Sequence, residues 1–135
     1  MIDPIAQGWK PMRGNAMPGG LGIPFAKRTG SGWRYALQTT AEHANPGGLL
    51  HGGVIMAFAD HCLGLYVWEA ANRAPNVTIQ LNTHFLAAAQ PGAFLELHGE
   101  VTRATRGLVF IRGTLSVEDR DIAAVDGIWR VLKAA

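Results

Sequence analysis

The segment "GVIMAFADHCLGLYVWEAAN", residues 53–72, places apolar side chains on almost every face of a helix. A helix of that kind cannot lie on a surface, so whatever else the chain does, it must enclose this one. The helix ends in "EAANRAP", where Pro75 forces the stop. The apolar run is too short to cross a membrane and carries Asp60-His61 in its middle. Asp60 is the anomaly. Its helical neighbours Met56, Ala57, Leu63 and Gly64 offer it neither a cation nor a donor, and a carboxylate left so is costly unless the protein uses it.

The material for an enclosure follows the helix. "NVTIQLNTHFLAAA", "AFLELHGEVTRAT", "GLVFIRGTLSVED" and "DIAAVDGIWRVLK" are four long β-like segments, separated by "QPG", "TRG" and "DRD" at the spacing of an antiparallel meander. Before the helix, "WRYALQTT" alternates as a strand and leads into the polar loop "AEHANPGG". The expected class is therefore α+β: one strand, one long central helix and four strands, with a single antiparallel sheet covering the helix. At 135 residues the chain reads as one domain over 1–135, in which the Gly- and Pro-rich arm 1–31 is poorly specified and could dock as a short helix or turn. One sheet cannot cover a helix on all sides. A two-fold dimer is the commonest way to close the remainder.

The chain is 48% hydrophobic against 16% charged, which suits burial against copies of itself. A net charge of +2 with scattered Lys and Arg gives no nucleic-acid footprint, and a small or acyl ligand fits better. Cys62 is the only cysteine, so no intrachain disulfide forms and a reducing compartment is expected. The first residues lack a charged start followed by an apolar run, hence no signal peptide is recognised and a cytoplasmic location without membrane association is expected.

Chemistry concentrates at the start of the helix. There the free backbone N–H groups and the positive end of the dipole are unshielded at Gly52-Gly53, which suits a developing oxyanion or a phosphate. No GKS or GKT follows, so phosphate cradling ranks below acyl chemistry. Asp60 stands eight residues after Gly52, roughly 12 Å along a helix, too far for both to act on one carbonyl carbon from a single chain. If they act together, Asp60 of one subunit meets Gly52 of another. The plainer alternative is a buried carboxylate bonded to a strand amide or to Thr78. Asn45 and His51 either hold the Gly-rich loop and cap the helix or contact the reacting group. Asp60-His61-Cys62 is a poor metal site, because consecutive helical residues point in different directions.

At "HANPGGLLHGGVIMAFAD" followed by "VTIQLNTHFLAAAQPG" the sequence resembles the hotdog-fold acyl-CoA thioesterases, in particular the PaaI-like, phenylacetate-pathway branch. The resemblance covers roughly residues 32–132, and its motif is Asn45, Gly48, His51-Gly52-Gly53 and Asp60. It implies a long helix wrapped by a curved antiparallel sheet, a homodimer with continuous sheets and, usually, a homotetramer. By the same resemblance, Asp60 attacks the thioester or activates a water, the Gly52 amide polarises the carbonyl, and Thr78 places a hydroxyl near Asp60 of its own subunit. Asn45 and His51 would stand by the carbonyl, on the subunit that provides Gly52. The implied substrate is a coenzyme A thioester, with no metal or redox cofactor.

Outside the motif, Trp9 and Phe25 are candidates to line or lid the acyl pocket, and Phe58, Tyr66, Trp68 and Phe85 could line it or pack the core. Arg103, Arg106 and Arg112 are available cations for coenzyme A phosphates. Two alternatives stay open: a non-catalytic acyl-CoA-binding module, which would dispense with Asp60, and the dehydratase branch of the same fold, which places a catalytic His differently.

Overall fold

The helix starts and stops where local chemistry dictates. His51 is extended, and its Nδ1 accepts the Gly53 N–H at 2.8 Å, capping the first turn of α1 (Gly52–Ala70). At the other end the Ala71 N–H donates to the Val67 carbonyl, and Asn72 and Arg73 turn left-handed with φ of 53° and 64° before Pro75. The computed structural model describes residues 2–133.

Seven strands form one antiparallel sheet: β1 (Lys10–Pro11), β2 (Phe25–Thr29), β3 (Gly32–Gln38), β4 (Asn76–Phe85), β5 (Phe94–Ala104), β6 (Leu108–Val117) and β7 (Arg120–Val131). Their spatial order is β1-β2-β3-β5-β6-β7-β4. The sheet curves round α1. Ile55, Phe58, Ala59, Cys62, Leu63 and Val67 of the helix are buried against inward-facing Leu97, Ile111, Leu115 and Trp129. Each such large side chain withdrawn from water contributes on the order of 1.5–3 kcal/mol. Gly99 is what lets the sheet approach: a Cβ there would stand 2.7 Å from the Tyr66 ring.

Two expectations need correction. The four strands after the helix are present, but they are not a simple meander, because β4 pairs with β7 and not with β5. Between β3 and β4 the chain runs through α1, so β4 lands at the far edge of the sheet. The arm, expected to dock as a short helix or turn, has single helical turns at Arg13–Asn15 and Pro18–Gly20 and also adds two strands. Its β1 and β2 extend the sheet beyond β3, while Met17 enters the helix-side core. Trp9 and Phe25 pack with Ala36 and Phe94 in a separate cluster, Trp9 and Phe94 lying edge-to-face at 5.3 Å, and so neither lines nor lids the neighbourhood of Asp60.

Candidate active site

Asp60 has a partner, and a break in strand regularity supplies it. Along β4, Leu81 packs against the core and pairs with Gly127 of β7. Strict alternation would then bring Ile79 and Val77 to the helix side. A bulge between Thr78 and Gln80 shifts the register by one, so that Thr78 faces α1 opposite Trp129. Its hydroxyl donates to Asp60 Oδ1 at 2.6 Å. One lone pair set of the carboxylate is thereby fixed and Oδ2 is left for another donor. Asp60 is half-buried and Thr78 exposed, so water reaches the pair.

The other half of the motif sits at the start of α1. Because the Gly53 N–H is taken by His51, the amide of Gly52 is the one left pointing outward; no acceptor meets it among the described residues. A backbone donor to Nδ1 requires neutral His51 to carry its proton on Nε2. That N–H lies on an exposed ring. Asn45 closes the preceding loop with both backbone groups and its side chain: Oδ1 accepts from Leu49 N at 3.1 Å, while Gly48 takes a left-handed φ of 85°. Its Nδ2 makes no hydrogen bond among the described residues. Asn45 and Gly52 line one cleft of about 380 Å³, with Leu49, Ile55, Phe85 and Leu86 among its other walls. Phe85, named from the sequence as a residue to line the pocket or pack the core, lines this cleft, and its ring lies 3.1 Å from where a Gly52 Cβ would stand, a placement the sequence does not mark. Only the fold brings residues 52 and 85 together, and no local signal marks the pair.

The structure thus places the five candidate residues in two groups on one chain, Asp60 with Thr78 and Asn45 with Gly52 and its neighbour His51. The neighbours of Asp60 go elsewhere. Cys62 is fully buried and its thiol is pushed up by that burial, while the His61 ring reaches the Asn15 carbonyl at 2.8 Å. Side chains aimed this way do not converge on an ion. Arg112 is paired with Glu100 at 3.1 Å on the outer face of the sheet, away from both groups.

The thioesterase superfamily matches residues 47–124, a span that holds the start of α1, Asp60 and Thr78. This chain belongs to the thioesterase superfamily. Thioester hydrolysis is the general chemistry of that superfamily, and the long helix within a curved antiparallel sheet is its hotdog fold. Among curated proteins the chain is 31% identical over 98 residues to PA0474 of Pseudomonas aeruginosa, named as an esterase, covering 71% of this thioesterase-superfamily chain and 72% of that protein. Two solved structures share the fold. One is a hypothetical thioesterase protein with coenzyme A from Streptococcus pneumoniae TIGR4, with 20% identity, TM-score 0.69, and 74% and 77% of the two chains covered. The other is PaaI of Escherichia coli, from the phenylacetic acid degradation operon, with 15% identity, TM-score 0.68, and 76% and 74% covered.

Proposed function

We propose that the protein hydrolyses acyl-CoA thioesters at a site built from two protomers, Asp60 and Thr78 from one and Gly52, His51 and Asn45 from the other. The observation that carries this reading is the Thr78–Asp60 hydrogen bond at 2.6 Å beside an unpaired, apolar strand edge. Val77, Ile79, Phe85 and Leu86 are each about half exposed on or just beyond β4, the last strand of the sheet. A second β4 laid antiparallel across this edge covers them and joins the two sheets. Such pairing about the middle of the strand brings the Phe85 end of one copy to the Asn76–Thr78 end of the other. Since Gly52 sits against Phe85, its free N–H then arrives at the partner's Asp60.

The step follows from that juxtaposition. A water held by Asp60 Oδ2 gives its proton to the carboxylate as its oxygen attacks the thioester carbonyl carbon. The carbonyl oxygen becomes an oxyanion held by the Gly52 N–H, with the Asn45 Nδ2 of the same cleft and the Nε2–H of the adjacent, exposed His51 as further donors. Collapse of the intermediate breaks the C–S bond. The proton on Asp60 passes to the departing thiolate, leaving a carboxylic acid, free thiol and the original carboxylate. Direct attack by Asp60, through a mixed anhydride that water then opens, uses the same residues.

Coenzyme A in the Streptococcus relative and the fold shared with PaaI support a CoA thioester as substrate and a place in the PaaI-like branch. No step calls for a metal or redox cofactor. Pairing of dimers into a homotetramer and a cytoplasmic location complete the reading. A non-catalytic binding module would have no use for the Thr78-fixed carboxylate.

The test is thiol release from a panel of acyl-CoA thioesters by wild type and Asp60→Asn. The expected outcome is turnover of at least one thioester by wild type and a loss of about 10²-fold or more in kcat for Asp60→Asn with its oligomeric state intact. A folded Asp60→Asn protein that keeps wild-type kcat sinks the proposal.

A further inference from the structure

The helix face that carries Asp60 continues past it. One turn on, Gly64 puts no side chain between α1 and the start of β4, and a cleft of about 390 Å³ opens between Asn15, Gly64, Leu65, Trp68, Pro75 and Asn76. The Asn76 Nδ2 donates to the Gly64 carbonyl at 3.3 Å and so fixes one side of it. A smaller hollow of about 190 Å³ adjoins, shared by Asn15, Leu65 and Trp68 and extended by Met12, Ala26 and Trp33. One wall of both spaces is therefore the arm, which lies outside the family match at residues 47–124.

That wall is fastened. The His61 Nε2 bonds the Asn15 carbonyl at 2.8 Å, and because a carbonyl only accepts, the proton is on Nε2. The Asn15 N–H in turn donates to the Met12 carbonyl at 2.9 Å, closing the turn. At the far end the guanidinium of Arg73 lies over the Trp68 ring at 5.0 Å and is paired with Glu69 at 3.9 Å.

We propose that this cleft receives the acyl group and that the arm segment Met12–Asn15, held by His61, is the wall that selects it; the inference rests on the thioesterase reading above. The cleft begins at Gly64, four residues or about 6 Å along the helix from Asp60, which is where a group attached to a carbonyl carbon at Asp60 would lie. Leu65, Trp68 and Pro75 offer mostly apolar walls, and the Asn15 and Asn76 carboxamides add polar groups to the larger space. A compact acyl group, ring-bearing or branched, fills such a space. A long fatty chain would run past Trp68 onto the Arg73–Glu69 pair and desolvate it. In this account His61 is a positioning residue, which gives the histidine beside Asp60 a task that needs no metal.

The experiment compares kcat/KM for phenylacetyl-CoA, acetyl-CoA and palmitoyl-CoA in wild type, His61→Ala, His61→Gln and Asn15→Trp. The ratio of phenylacetyl to acetyl should fall about tenfold or more in His61→Ala and Asn15→Trp, through KM rather than kcat, with most of the His61 loss restored by Gln, which keeps an N–H donor. A ratio within about twofold of wild type in both His61→Ala and Asn15→Trp overturns the inference, as does wild type that prefers palmitoyl-CoA. Should wild type hydrolyse nothing, the thioesterase reading fails separately. The cleft is then judged by binding of a hydrolysis-resistant phenylacetyl-CoA thioether: weaker binding to Asn15→Trp supports the wall, and equal binding overturns it.

Discussion

Gly52 is the first residue of α1, the position at which proline is best tolerated, because the missing N–H has no partner within the helix and His51 before it is already extended. Gly52→Pro thus removes the proposed oxyanion donor without breaking the helix. The first added carbon stands 3.1 Å from the end of the Phe85 ring, so the ring has only to give slightly. Circular dichroism should show an unchanged helix, and kcat should fall about 10²–10³-fold. Thr78→Val makes a smaller cut. It keeps the shape of the side chain and deletes only the hydroxyl that orients Asp60, so kcat should drop roughly tenfold, about 1.4 kcal/mol of barrier, at constant KM. An unchanged kcat would show that Asp60 needs no second group to aim it.

Among the elements, the interior packing of α1 against β3 and β5 carries a pH signature. Tyr66 lies between them, its hydroxyl donating to the Trp33 carbonyl, and burial above all pushes its phenol from 10.0 up to about 12. Tyr35, edge-on to Tyr66 at 4.9 Å, is raised in the same direction by burial and by that neighbour. A raised folded-state value favours the neutral form, so this contribution is whole below pH 10 and is lost as the pH climbs from about 10 towards 12. Chemical denaturation at stepped alkaline pH, followed with tyrosinate absorbance, should show stability falling over that window and ionisation arriving with unfolding. Free ionisation of both phenols near pH 10 in the folded protein would contradict the packing. The elements themselves were legible to unequal degrees. Residues 53–72 announced a buried helix because their pattern has no polar face, and the four later strands stood out by alternation between turn residues. The arm did not: β1 and β2 form by pairing onto β3, a tertiary effect that glycine and proline content hides. Nor did the bulge at residues 78–80, since "VTIQL" reads as regular strand, and without it the geometry that aims Thr78 at Asp60 is invisible. The site motif was legible as residue types; the grouping of Phe85 with Gly52 was not.

For the whole molecule, β4 is the uncovered edge of the single chain's sheet. Ile79 on β4 is 54% exposed and Leu86 just beyond it 58%, at the edge where β4 has no neighbour on one side among the described residues, a combination that proteins cover or charge. The Gly52 and Asp60 groups are separated on one helix by eight residues, about 12 Å, so a single chain cannot bring both to one carbonyl. The central claim is that the two halves of each site come from different protomers, and mixing inactive variants tests it most directly. Asp60→Asn and Gly52→Pro proteins are each assayed alone, then unfolded together, refolded and assayed again. A site shared between protomers predicts that heterodimers carry one intact site each, so that random reassociation restores about one quarter of wild-type turnover. A mixture as inactive as its two components would place Asp60 and Gly52 in the same protomer's site and contradict the account.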